Sequence, residues 1–212
     1  MSINPKDDFD EIKAILIGDS GVGKTNLINT SVGLNFEEGK KPTISGSFIE
    51  KMINIQNKKY QINLWDTAGQ EAYRGVTKLF FKGSQIVFLV YDITNHKSFE
   101  SLNYWITISK EIIENEFIFG LIGNKNDLFL NEEVKEEEAN VLAESINSKY
   151  KIVSAKTDPE RFVAFLTELI IDLKKINLID ENNGKNKVKL KEGKKNRKKC
   201  VKCHSGKNKE LK

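Results

Sequence analysis

Residues Gly18-Asp19-Ser20-Gly21-Val22-Gly23-Lys24-Thr25 bring together residue types suited to holding a chain of phosphates. Glycine at 21 and 23 lets the backbone approach an anion without a Cβ in the way. Lys24 carries a positive charge to the β and γ phosphates. The Thr25 hydroxyl is a hard oxygen ligand of the kind Mg²⁺ prefers. The apolar run Ala14-Ile15-Leu16-Ile17 precedes the loop, and a helix is expected from Lys24 onward. A buried strand, a glycine-rich turn and a helix N-terminus together aim backbone N–H groups at a polyphosphate. The binding set expected from this loop runs through Asp19, Ser20, Gly21, Val22, Gly23, Lys24, Thr25 and Asn26.

Four further segments follow strands or lie between elements. Asp66-Thr67-Ala68-Gly69-Gln70-Glu71 comes after the strand-like Tyr60–Trp65. An acid there can hold Mg²⁺ through water, Gly69 can offer an N–H to a γ-phosphate, and Gln70 can orient an attacking water. A lone strand-end aspartate is also a common helix N-cap. Asn124-Lys125-Asn126-Asp127 follows the apolar Phe117–Gly123. A carboxylate at Asp127 can accept from both the N1–H and the exocyclic amine of guanine, a donor pair that adenine lacks. The competing reading is a polar surface turn. At Ser154-Ala155-Lys156 a backbone N–H can meet the guanine O6, although the tripeptide is weak evidence by itself. Thr43, in Pro42-Thr43-Ile44, can complete Mg²⁺ coordination when a γ-phosphate is present, which would make its loop an ordering switch; it also reads as an ordinary loop threonine.

The elements that must position these groups alternate. Strands are expected at Glu11–Ile17, Phe48–Ile55, Tyr60–Trp65, Ile86–Tyr91, Phe117–Gly123 and Lys151–Val153. Helices are expected at Lys24–Val32, Ser98–Glu114, Glu133–Asn147 and Glu160–Asn177, and Gln56-Asn57-Lys58-Lys59 reads as a hairpin turn. The pattern predicts an α/β fold: a six-stranded, mostly parallel sheet flanked by about five helices. Ligands of such sheets bind at the carboxyl ends of the strands.

Composition bounds the rest. The 212 residues suit one compact domain plus a tail. No apolar run is long enough to cross a bilayer, and the polar N-terminus is not a secretory signal. The cysteines, Cys200 and Cys203, both lie near the C-terminus, so the body has no disulfide framework and a reducing cytosolic setting is expected. Residues 179–212 hold thirteen Lys and Arg against four Asp and Glu, a net +9 in a chain of net +4. Such an arm is expected to be disordered and drawn to polyanions, either anionic lipid or nucleic acid.

In this order and spacing, the loop at 18–25, Thr43, Asp66 to Glu71, Asn124 to Asp127 and Ser154 to Lys156 resemble a small GTPase of the Ras superfamily, a P-loop NTPase. Leu64-Trp65-Asp66-Thr67, Tyr91-Asp92-Ile93-Thr94, Ser98-Phe99 and Trp105 are similar to the Rab branch. The resemblance implies an N-terminal extension over 1–10, a G domain over 11–177 and a basic tail over 178–212. It implies that Lys24 binds phosphates, that Thr25, Thr43 and Asp66 serve Mg²⁺, and that Gly69 senses the γ-phosphate. Gln70 orients the hydrolytic water, with Lys24 and Thr43 assisting. Asn124, Lys125, Asp127, Ser154, Ala155 and Lys156 frame guanine, and Phe36 lies over the base edge. An exchange factor, an activating protein and effectors are expected on residues 36–48 and 66–82, where Phe48, Trp65 and Phe80 would face effectors; simple packing is the plainer reading of that trio. A monomer is expected, peripheral on the cytosolic face of an endomembrane and held by the basic tail, with no nucleic-acid partner. Hydrolysis is expected to be slow without the activating protein, since Arg74 lies beyond Gln70. The alternative is a module that holds nucleotide with little turnover.

Three departures stand out. Rabs usually follow the switch threonine with Ile-Gly-Val-Asp-Phe, where this chain has Ile44-Ser45-Gly46-Ser47-Phe48. Lys40 stands where many relatives carry an aromatic. The last four residues, Lys209-Glu210-Leu211-Lys212, hold no cysteine, so the ordinary prenylation signal is not expected. Cys200 and Cys203 read either as palmitoylation sites or as plain exposed thiols. Cys200-Val201-Lys202-Cys203-His204 also spells a haem-attachment or metal motif, but nothing else in the sequence supports it.

Overall fold

A computed structural model describes residues 9–39, 43, 46–67 and 80–176. The expectations for Lys40, Pro42, Ile44, Ser45, Gly69, Gln70, Glu71, Arg74, the basic tail and its cysteines lie outside the described residues. The chain divides into Met1–Leu173 and Lys174–Lys212; of the second unit, only the helical residues 174–176 are described.

Strands β1 (Phe9–Ile17), β2 (Ser47–Ile55), β3 (Lys58–Asp66), β4 (Ile86–Asp92), β5 (Ile118–Asn124) and β6 (Lys149–Ile152) form one sheet in the order β2-β3-β1-β4-β5-β6. Only β2 and β3 pair antiparallel; the remaining pairs are parallel. The described helices are α1 (Lys24–Ser31), α2 (His96–Glu100), α3 (Leu102–Ile112), α4 (Glu136–Ser145) and α5 (159–176). This is the α/β architecture expected.

Strand alternation decides which helix covers which face. Ile12, Ala14 and Leu16 of β1 point to the side packed by Leu27 and Ile28 of α1 and by Phe162, Phe165 and Leu169 of α5. Ile15 and Ile17 point the other way, toward Phe99, Leu102, Trp105 and Ile106 of α2 and α3 and Ala139 and Ala143 of α4. β4 divides in the same way, and each of its seven residues is buried, as its continuous apolar run foretold.

Several boundaries differ from expectation for local reasons. The hairpin turn is two residues long: Gln56 and Asn57 have φ of 49° and 65°, and Ile55 pairs with Lys58. Two left-handed residues match the twist of the flanking strands, so Lys58 and Lys59 belong to β3. The helix expected over Ser98–Glu114 is two. Asn95 caps α2 through a 3.3 Å hydrogen bond from Ser98 N to its Oδ1. α2 and α3 meet at Ser101, which keeps helical dihedrals (φ −65°, ψ −16°) and whose hydroxyl donates to Ser98 O at 3.0 Å. α4 starts at Glu136 because Lys135 is extended (φ −74°, ψ 147°). The polar edge strand β6 begins two residues before the expected Lys151. A 3₁₀ helix at Asn126–Asn131, not anticipated, follows β5.

Candidate nucleotide-binding site

The carboxyl ends of β1, β3 and β5 and the loop after β6 converge on a cavity of about 370 Å³. Its floor is the loop between β1 and α1. A Cβ on Gly18 would lie 2.0 Å from Val90 O, and one on Gly23 2.3 Å from the Asn124 amide nitrogen. Both glycines also have positive φ, 142° and 98°. Only glycine therefore lets the loop lie flat against β4 and β5. Gly23 precedes α1 without a side-chain cap, so the first-turn N–H groups are not taken by a capping side chain.

Lys24 is buried, 5 % exposed. Its ammonium donates to Gly18 O and Asp19 O, both at 2.8 Å. Burial pushes its pKa down to about 8, opposed by the charges of Asp66 and Asp19. Beside it lies an oxygen cluster. Thr25 Oγ1 donates to Asp66 Oδ2 at 2.8 Å, Thr43 Oγ1 donates to the same oxygen at 3.3 Å, and the two hydroxyls are 2.9 Å apart. Three hard oxygens from three separate segments fit a Mg²⁺ ion, which takes oxygen ligands and keeps part of its water shell. Asp66 stands behind Thr25 and off the cavity wall.

The opposite end is built on Asn124. Its amide nitrogen donates to Val22 O at 2.8 Å, and its Oδ1 accepts from Ala155 N at 3.2 Å. One buried side chain thus ties the phosphate loop to the loop after β6. Lys125 (φ 70°, ψ 38°) and Asp127 follow on the wall. Ser154 Oγ donates to Asp127 Oδ1 at 2.6 Å and accepts from Lys156 N at 3.2 Å and Thr157 N at 3.1 Å. Phe36 and Lys156 close the mouth, with the ammonium 5.8 Å from the ring centroid. The Asn26 amide holds the adjacent loop from both sides: Nδ2 donates to Glu37 O at 2.9 Å, and Glu37 N donates to Oδ1 at 3.3 Å.

Three expected binding residues keep their side chains off the wall. Val22 is 1 % exposed and packs into the core. Asp19 turns outward, accepting from Trp105 Nε1 at 3.3 Å. Ser154 lies behind Asp127 and orients its carboxylate. Thr67, Glu37, Glu38, Gly39 and Leu128 line the cavity without having been singled out. Thr67 and Leu128 are next to motif residues, which was the available signal.

The Ras family model matches residues 13–175 of this chain.

The chain belongs to the Ras family.

It is a small GTPase, most similar to the Rab branch. It is 41 % identical over 145 residues to the Ras-related protein Rab-2B of Dictyostelium discoideum, covering 68 % of this chain and 72 % of that one. It is 36 % identical over 174 residues to the Ras-related protein Rab-11C of the same organism, covering 80 % and 78 %. With the GTP-binding protein ypt3 of Schizosaccharomyces pombe it shares 36 % over 168 residues, 77 % and 78 % of the two chains.

In this Ras-family GTPase the aromatic trio does assemble. Phe48 stacks on Trp65 at 4.9 Å between centroids, and Phe80 lies 5.6 Å from Trp65. Phe48 remains 49 % exposed, more than a core residue would be. Gly46 explains one departure in this stretch. A Cβ there would lie 2.3 Å from Phe80 Cζ, so the missing side chain makes room for the ring. Gly46→Val, which installs the residue usual in Rabs, is expected to push Phe80 off Trp65 and to cost about 1–3 kcal/mol as an overpacking change. Thermal unfolding and the tryptophan emission spectrum would read both effects.

Proposed function

We propose that this GTPase is a Mg²⁺-dependent GTP/GDP switch of vesicle-mediated membrane traffic, peripheral on the cytosolic face of an endomembrane. The convergence of Thr25, Thr43 and Asp66 Oδ2 carries the reading. Thr43 lies outside the phosphate loop, so an ion held there would join the segment between α1 and β2 to the phosphates, and loss of the γ-phosphate would release it. A Mg²⁺ ion held by Thr25, Thr43 and Asp66 would supply charge neutralisation to the phosphate oxygens. Lys24 binds the same oxygens, Gly69 meets the γ-phosphate through its N–H, and Gln70 orients the attacking water. Asp127, held by Ser154, accepts from the guanine N1–H and amine. Ala155 N–H faces O6, while Phe36 and Lys156 flank the base. Turnover is slow because, among the described residues, no arginine lines the cavity to stabilise the transition state, and an activating protein supplies the acceleration.

Residues 11–177 form the GTPase domain of this monomer. Regulators and effectors contact residues 36–48 and 66–82, with the exposed Phe48 and its neighbours Trp65 and Phe80 at the centre. The basic tail over 178–212 meets anionic lipid, where each Lys or Arg near the surface contributes about 1 kcal/mol. No described helix is long and apolar enough to cross a membrane.

The test is single-turnover phosphate release from purified protein loaded with GTP, with and without chelator. Release should depend on Mg²⁺ and slow sharply in Gln70→Leu. Tight GTP binding with no phosphate release would instead make the chain a nucleotide-holding module.

A further inference from the structure

The geometry points to Asp92 as a positioning residue for guanine binding: its buried carboxylate holds Lys125 in the one orientation that lays this lysine along the base. The inference rests on the reading, implied by the family resemblance, that Lys125 helps frame the guanine. Asp92 closes β4 and pairs in register with Asn124, the last residue of β5. Its side chain is 9 % exposed, and Oδ2 meets Lys125 Nζ at 2.5 Å. Oδ1 accepts from Thr94 N at 2.9 Å and from Thr94 Oγ1 at 2.7 Å. The two oxygens therefore have separate duties. A turn-capping aspartate needs only the Thr94 bonds, which Oδ1 satisfies alone. Oδ2 is turned to the lysine.

Lys125 has reason to need such a partner. Its backbone is left-handed, at φ 70°, a region that a lysine occupies only when its surroundings impose it. Two backbone bonds anchor the flanks: Asn126 N donates to Val153 O at 3.1 Å, and Leu128 N donates to Lys125 O at 2.8 Å. These fix where the side chain starts but not where its four-carbon stem points. The bond to Asp92 fixes the far end, and a charge-assisted hydrogen bond is about twice as strong as a neutral one. Lys125 is also 33 % exposed at the side chain; without Asp92 its ammonium is free to swing toward water and carry the stem off the base.

The test uses the full-length protein and the dissociation of a fluorescent GDP analogue. Asp92→Asn keeps the shape and an acceptor for Thr94 but removes the charge, and it should speed release about tenfold or more. Lys125→Met, which keeps the stem and removes the ammonium, should also speed release. The double variant should release no faster than Lys125→Met alone, because Asp92 acts through the lysine. If Asp92 only braced the turn at Thr94, the two effects would multiply and the inference would fall; unchanged release in Asp92→Asn would overturn it equally. Should Asp92→Asn not fold, Thr94→Val loosens the same carboxylate by one bond. It should speed release several-fold when Lys125 is present and not in Lys125→Met. Equal acceleration in both backgrounds, or none, would count against Asp92. Failure of the unmodified protein to bind GDP would instead sink the guanine reading itself.

Discussion

Asp127→Asn is expected to lower GDP affinity about 10²- to 10⁴-fold and to make the protein accept xanthosine diphosphate. Two hydrogen bonds to a charged acceptor are at stake, each worth about 1.5–3 kcal/mol. The surrounding bonds predict which way the new amide faces. Ser154 Oγ donates to Asp127 Oδ1 at 2.6 Å, and its capacity to accept is taken by the N–H groups of Lys156 and Thr157. The substituted side chain must therefore keep its oxygen toward Ser154 and turn its NH₂ toward the other edge of the base. Guanine presents a clashing amine there, whereas xanthine presents an oxygen. Competition binding with GDP and xanthosine diphosphate would measure the exchange of preference. Adding Ser154→Ala removes the constraint on the amide, so the preference for xanthine should shrink. If it does not, Ser154 has no part in orienting the acceptor.

Lys24→Met should have the other large effect. Nucleotide affinity is expected to fall by at least about a thousandfold, since the phosphates lose their buried cation. The folded protein without nucleotide should be altered far less, because two costs oppose each other. The methionine leaves Gly18 O and Asp19 O without the ammonium they accept from at 2.8 Å. It also removes a charge whose burial is costly enough to bring its pKa down to about 8. Thermal unfolding with and without GDP separates the two: the unmodified protein should gain stability from the ligand by mass action, and the variant should not. A large loss of stability in the variant without nucleotide would make Lys24 a structural residue first.

Most of the cavity could be read in advance because its residues lie at or just beyond the ends of strands. Once the parallel order is inferred, Thr25, Asp66, Asn124 and Ala155 have nowhere to go but the same edge of the sheet. What could not be read depends on contacts that only the folded topology makes. Trp105 reaches Asp19 across 86 residues, and no local pattern signals that an indole N–H will turn this carboxylate away from the phosphates. Ser154 looked like part of a weak tripeptide; its role behind Asp127 depends on β5 and β6 being neighbours. Asp92 stands in a Rab-like string, and nothing in its spacing to Lys125 announces a salt bridge. The hairpin at Gln56-Asn57 is where the sequence places it, but its two-residue length rests on left-handed backbone at both positions, which no pattern of apolar spacing announces.

The Asn124 side chain has a consequence for exchange. Because it bonds Val22 O on one side and Ala155 N on the other, the two ends of the pocket, which the proposed reading gives to phosphates and base, share one crossbar. On that reading, displacing either end would disturb the other, and loss of the base and loss of the phosphates would be coupled. A partner that forces nucleotide out would have no need to grip the whole ligand: leverage applied at a single rim would be transmitted across.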